Sequence, residues 1–99
     1  MIRHIVFWRL NGETPEARQA QAAEIKAALE GLNGKIPGLI RLEIGVDFSR
    51  GPDSTDIVLY SEFTSREALA AYHDHPEHLR VAPLVKAARC ERRVGDYEV

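Results

Sequence analysis

The sequence predicts an α+β sandwich, one four-stranded antiparallel sheet with its helices gathered on one face. Three observations lead there. Stretches of alternating hydrophobicity open, divide and close the chain. Between them apolar residues recur at helical spacings. Cap and turn residues separate the two kinds of segment in the order β-α-β-β-α-α-β.

In residues 1–10, Ile2, His4, Val6, Trp8 and Leu10 share one face and Ile5 and Phe7 the other, the pattern of a strand covered on both sides. Asn11-Gly12 ends it. Thr14 then offers an N-cap oxygen, and Pro15 suits the first helical position, where its missing N–H costs nothing. Ala22, Ile25, Leu29 and Leu32 mark an amphipathic helix running to about Leu32, with Asn33-Gly34 as its stop. After the turn Ile36-Pro37-Gly38, the run from Leu39 to Phe48 sets Ile40, Leu42, Ile44, Val46 and Phe48 against Arg41, Glu43, Gly45 and Asp47. That alternation predicts a half-solvated strand. Residues 49–54 read as a surface loop.

The third strand is expected over Asp56 to Phe63, with Asp56, Val58 and Tyr60 on one face. Thr64 and Glu67 form a capping box for a helix from Ser65 that turns Ala68, Leu69 and Tyr72 inward. It ends near His73 or Asp74, because Pro76 disfavours helical geometry at His75. Pro76 suits the first turn of another helix, which Pro83 is expected to interrupt or restart. Glu91 to Val99 is the closing strand.

This order is that of a ferredoxin-like sandwich. With helices on one side, the other sheet face is left bare, yet the first strand is apolar on both. The expectation is a two-fold homodimer, its two sheets packed face to face.

At 99 residues and 11.1 kDa the chain suits one domain spanning residues 1–99, with roughly 60–70 % of its unfolded surface removed from water. Apolar residues at 44 % and charged residues at 28 % exclude a disordered or fibrous chain. A formal charge of −2 gives no electrostatic footprint for nucleic acid or anionic membrane. No stretch approaches the ~18 apolar residues of a membrane span. The start, with Arg3 inside its apolar run and no small-residue cleavage site, does not read as a secretory signal. One cysteine, Cys90, precludes an internal disulfide and fits a reducing compartment, so a cytoplasmic location is expected. Phosphate loops, paired-carboxylate signatures and nucleophile elbows are missing.

Several stretches together resemble the stress-responsive dimeric α/β barrel (Dabb) family. Met1-Ile2-Arg3-His4-Ile5-Val6 looks like its first strand and Ile36-Pro37-Gly38-Leu39 like its turn before the second. Tyr72-His73-Asp74-His75-Pro76-Glu77-His78-Leu79 carries its tyrosine and HPxH sequence, and Val94-Gly95-Asp96-Tyr97-Glu98-Val99 its closing strand. The resemblance implies a homodimer with a barrel-like core and a pocket in each subunit between sheet and helices. The family includes heat-stable structural proteins and the plant enzyme olivetolic acid cyclase, which closes a polyketide by aldol chemistry without metal or organic cofactor. Tyr72 and His78 match that enzyme's acid/base pair, and His4 matches a pocket histidine. Asp56 stands where it has another histidine, its further pocket tyrosine has no counterpart among residues 24–28, and Trp8 replaces a smaller residue.

The residues themselves leave two readings of Tyr72 and His78. Either they are core side chains hydrogen-bonded across a helix junction, or His78 is a general base and Tyr72 holds an oxyanion. In the first turn of a helix, the dipole would keep His78 neutral near pH 7. The expected pocket comprises His4, Val6, Trp8, Asp56, Val58, Tyr72 and His78, with Asp56 either orienting a histidine or solvated at a strand end. His75 is expected to satisfy backbone groups at a helix start, His73 to face solvent, and Cys90 to be a small packed residue. His73, His75 and His78 lie at spacings of two and three, but Pro76 splits them between two helices, so no metal site and no cofactor is expected.

Two functions follow as expectations. One is a small-molecule acid/base enzyme acting on a carbonyl, aromatic or polyketide-like compound. The alternative is a non-catalytic dimeric protein that binds a hydrophobic ligand or serves in stress tolerance, favoured if Trp8 fills the pocket. A heme- or quinone-handling monooxygenase is suggested by barrel architecture alone.

Overall fold

The structure is a computed structural model describing residues 1–99. Its elements are β1 (Ile2–Leu10), α1 (Pro15–Glu30), β2 (Leu39–Val46), β3 (Ile57–Phe63), α2 (Arg66–Asp74), α3 (Pro76–Ala88) and β4 (Arg89–Glu98). The four strands form one antiparallel sheet in the order β2-β3-β1-β4. This is the ferredoxin-like arrangement that the element order predicts, with all three helices on one face.

The β1 alternation sets the sides. Ile2, His4, Val6, Trp8 and Leu10 are buried toward the helices, while Phe7 is 42 % exposed on the outer face. Opposite them β3 buries Ile57, Leu59, Ser61 and Phe63, and α1 closes the core with Ala22, Ile25 and Leu29. Burying each such aliphatic or aromatic side chain contributes about 1.5–3 kcal/mol. The edge strand β2 is sealed by α1 side chains. Glu30 accepts from the Ile44 N–H at 3.0 Å, Lys26 donates to the Ile44 carbonyl at 2.7 Å, and Asn33 bridges both backbone groups of Leu42. Those bonds remove the pairing template that a free strand edge presents.

Several boundaries differ from the expectation. Helix α1 ends at Glu30, and Leu32 is buried in the following turn, where Gly34 takes φ +82°. Strand β2 stops at Val46, so Phe48 leaves the alternation and is 92 % exposed. The N-cap of α2 is Ser65, whose hydroxyl accepts from the Ala68 N–H at 3.0 Å. Thr64 is still held to the preceding turn, its N–H donating to the Gly38 carbonyl. Helix α3 runs through Pro83 without a break. Pro83 is exposed, so water can serve the carbonyl it leaves without a donor, and Val81, Val85 and Ala88 hold the helix down. Strand β4 begins at Arg89, and Cys90 is exposed there instead of packed.

The outer sheet face carries Ile5, Phe7, Val58, Tyr60 and Tyr97, with Arg3 among them. The Arg3 Nε is buried without a partner, and its guanidinium lies 5.8 Å from the Tyr97 ring centre. Gly38, in the turn before β2, has φ +82° and faces α2, where an added Cβ would stand 2.5 Å from the Ala68 Cβ. Gly34 shares the φ but has open space around it. Gly34→Ala should therefore cost about 1–2 kcal/mol from backbone strain alone, and Gly38→Ala clearly more. Urea melts of the two variants check this; equal losses would refute the Ala68 contact.

Candidate functional site

Beneath α2 and α3, the helix-facing side of the sheet leaves a cavity of about 150 Å³. Its floor is Val6, Trp8 and Leu59 from the central strands, and its apolar wall comes from Leu29 and Val85. Cavities of this size admit a benzene-sized molecule. One end is polar: His4, Tyr72, His73 and His78 all line it.

Local sequence places each of these rings. The Ser65 cap starts α2 so that Tyr72 points inward, 2 % exposed. His75 then serves as C-cap of α2 and N-cap of α3, its Nδ1 accepting from the Glu77 N–H at 3.1 Å. This single-residue junction sets His78 in the first turn of α3, its ring centre 4.4 Å from that of Tyr72. The His78 Nδ1 lies 3.1 Å from the His73 carbonyl. A carbonyl only accepts, so Nδ1 carries the proton and Nε2 keeps its lone pair. His4 is held from the sheet, its Nδ1 hydrogen-bonded to an oxygen of Asp96, the residue directly opposite it on β4. That carboxylate orients the imidazole in the way a second carboxylate commonly orients a working histidine.

Burial controls the electrostatics. It raises the Tyr72 phenol to about 12, so the group stays a protonated donor across the physiological range. The hydroxyl has no partner within the protein. His78 titrates below 6.5, first because burial disfavours its charge, then because His4 and Lys86 repel it; its bond to the His73 carbonyl works the other way. His73 is lowered likewise, by burial and then by His4 and His78, against the pull of Asp96. The expected dipole effect at His78 points in the same direction, but desolvation leads.

Of the residues expected in the pocket, His4, Val6, Trp8, Tyr72 and His78 come together. Trp8 lines the cavity without filling it, and its indole N–H is buried with no partner. Two residues fall elsewhere. Pairing of Trp8 with Ile57 and Val6 with Leu59 turns the odd-numbered β3 side chains toward the helices, so Val58 lies on the outer face and Leu59 takes its place. Asp56, just before β3, accepts from the Leu10 N–H at 2.7 Å and touches neither His4 nor His78. Asp96 is the orienting carboxylate instead, legible only through the β1–β4 register. His73 is exposed, as expected, and its ring also borders the mouth, with its centre 5.5 Å from His4 and 5.8 Å from His78. No three His, Cys, Asp or Glu side chains are grouped to hold a metal ion. A wider crevice of about 740 Å³ between the 47–55 loop and β4 is lined by a single apolar residue, Phe7, among charges, and reads as a solvated surface cleft.

The sequence profile described as Stress Responsive A/B Barrel Domain matches residues 2–99. A dimeric protein of unknown function and ferredoxin-like fold from Bacteroides fragilis is 30 % identical, with a TM-score of 0.88 over 99 % of this chain and 95 % of its own. The hydroxynitrile lyase of Passiflora edulis is 25 % identical, with a TM-score of 0.80 over 99 % of this chain and 92 % of its own. An antibiotic biosynthesis monooxygenase at 20 % identity and TM-score 0.77, covering 100 % of this chain and 98 % of its own, shares the fold alone. No functionally curated protein matches the chain.

Ring-proton NMR titration should give midpoints for His73 and His78 below 6.5. Because the folded state favours their neutral forms, the unfolded chain takes up protons first as pH falls. Stability present above pH 6.5 is thus lost as pH drops through the lowered midpoints. A His78 midpoint at or above 6.5 would remove burial as the controlling effect.

Proposed function

We propose, from the premise that this chain belongs to the stress-responsive A/B barrel domain family, that its cavity binds a small carbonyl compound and performs acid/base chemistry of the lyase or cyclase type on it. The observation that carries this reading is the Tyr72–His78 pair. Its rings stand 4.4 Å apart at the polar end of an open cavity, with the His78 tautomer set and the phenol unengaged.

His78 Nε2 takes a proton from the carbon beside a carbonyl, leaving an enolate, or from the hydroxyl of a hydroxynitrile, whose C–C bond then breaks to give the carbonyl compound and cyanide, to which His78 returns the proton. Its lowered pKa keeps it neutral and able to do so near pH 7. Tyr72 donates one hydrogen bond to the oxyanion that develops; at a pKa of about 12 it donates and does not act as the base. His4, fixed by Asp96, lines the same polar end, while Val6 and Trp8 hold the apolar part of the ligand. These groups supply the base and the oxyanion donor from side chains, so the reading needs no cofactor. The lyase name of the Passiflora edulis relative supports chemistry of this class. The alternative is a non-catalytic binding protein using the same cavity. A homodimer completes the reading: the Bacteroides fragilis relative is dimeric, and Ile5, Phe7 and Tyr97 offer a face for a second copy. No helix here is long and apolar enough to cross a membrane, and the single unpaired cysteine suits a reducing cytoplasm.

His78→Ala should lower turnover of a small hydroxynitrile or β-dicarbonyl substrate by about 10²–10⁴-fold, and Tyr72→Phe by about 10²-fold. Both should leave far-ultraviolet circular dichroism unchanged. Turnover that survives both substitutions rejects the acid/base assignment, and absence of turnover in the wild type favours the binding protein. Sedimentation should give twice the 11.1 kDa chain mass, and Phe7→Glu should return the monomer. A wild-type monomer would rule out the paired sheets.

A further inference from the structure

The cavity mouth has a charge that the rest of the chain does not. The whole protein carries 13 Lys and Arg against 15 Asp and Glu. Yet Lys86, Arg89 and Arg92 all line this one opening. They arrive from two elements. Lys86 lies in the last turn of α3 and Arg89 just after it, while Arg92 sits opposite Trp8 in the β1–β4 register and so projects on the helix side. None of the three has a carboxylate partner; five other cations, Arg9, Lys26, Arg41, Arg66 and Arg80, pair with a glutamate, and the remaining unpaired ones, Arg3, Arg18, Lys35, Arg50 and Arg93, do not line this opening. No Asp or Glu lines the opening, and Asp96, the carboxylate behind His4, is engaged by it. Lys86 and Arg92 are near enough to the rings to disfavour the charged forms of His78 and His73 respectively.

We infer that the site selects an anionic ligand: its apolar, ring-sized body enters the cavity, and a carboxylate or phosphate group is held at the mouth by Lys86, Arg89 and Arg92. Guanidinium forks grip planar oxyanions with two parallel hydrogen bonds, and a neighbouring ammonium adds a point charge. The identity of the body as a carbonyl compound rests on the acid/base reading above; the preference for an anion does not, because it needs no turnover.

Trp8 is the single tryptophan and lines the cavity, so its fluorescence reports occupancy directly. The full chain is titrated with phenylacetate, phenyl phosphate and the neutral phenylacetamide. At least one anion should bind about tenfold tighter than the amide or better, the scale of one charge-assisted hydrogen bond. That advantage should shrink with added salt. It should vanish in the triple variant Lys86→Gln, Arg89→Gln, Arg92→Gln, with the amide affinity left as it was. The tighter of the two anions shows whether the mouth takes a carboxylate or a phosphate. Equal binding of amide and anions, a preference that persists in the triple variant, or no saturable quenching by any probe at millimolar concentration would overturn the inference. Loss of the acid/base reading shows itself separately, as turnover that His78→Ala leaves intact.

Discussion

The antiparallel register of β1 with its two neighbours is the constraint on which the rest of the structure depends. Pairing Val6 with Leu59 and Trp8 with Ile57 turns one set of side chains to the helices and the other to the bare sheet face. A slip of one residue would invert both strands and take the apolar floor out of the cavity. On the other side of β1, the same register sets His4 against Asp96 and Trp8 against Arg92. The central strand thus decides at once where the core lies, which carboxylate orients a buried histidine and which cation reaches the cavity mouth.

The second determinant is the short junction between α2 and α3. His75 ends one helix and caps the next, which brings Tyr72, His73 and His78 around one end of the cavity although they lie on two helices. The junction also spends the His73 carbonyl on His78. Tyr72 is buried, His78 half-buried and His73 exposed at the rim, and the burial each has favours its neutral form: the phenol protonated, the imidazoles of His73 and His78 unprotonated. Neutral groups in a partly dry site can exchange protons with a ligand near pH 7, which solvated charged groups would do poorly. A cationic mouth around a neutral interior separates two tasks, holding a charge and moving a proton.

Much of this was legible in the residues. The β1 alternation, the Thr14-Pro15 helix start, the stripe of Ala22, Ile25 and Leu29, and Pro76 after His75 are local patterns, and local patterns declare elements. The order of the elements declared the sandwich. Tyr72 and His78 could be placed together because the proline lies between them, and His4 could be placed inside because its strand neighbours are apolar. Side chains whose position depends on pairing were misplaced. Asp56 looked able to orient a histidine, and Val58 looked inward, because alternation gives two faces without saying which one is covered. Phe48 departs for a different reason: alternation in the sequence continues past Val46, where the hydrogen-bonded pairing with β3 ends.

The sequence by itself determined the elements, their order, the amphipathic side of each helix and the residue types capable of proton transfer, because all of these depend on neighbours within a few positions. Only the tertiary structure decided the strand register, the sealing of β2 by Lys26, Glu30 and Asn33, the choice of Asp96 over Asp56, the place of the exposed His73 beside the cavity mouth, and the gathering of Lys86, Arg89 and Arg92 at one opening. Those outcomes join residues up to 92 positions apart. No local propensity encodes such a distance; it is set when the whole apolar face of the sheet is covered in the one register that buries it.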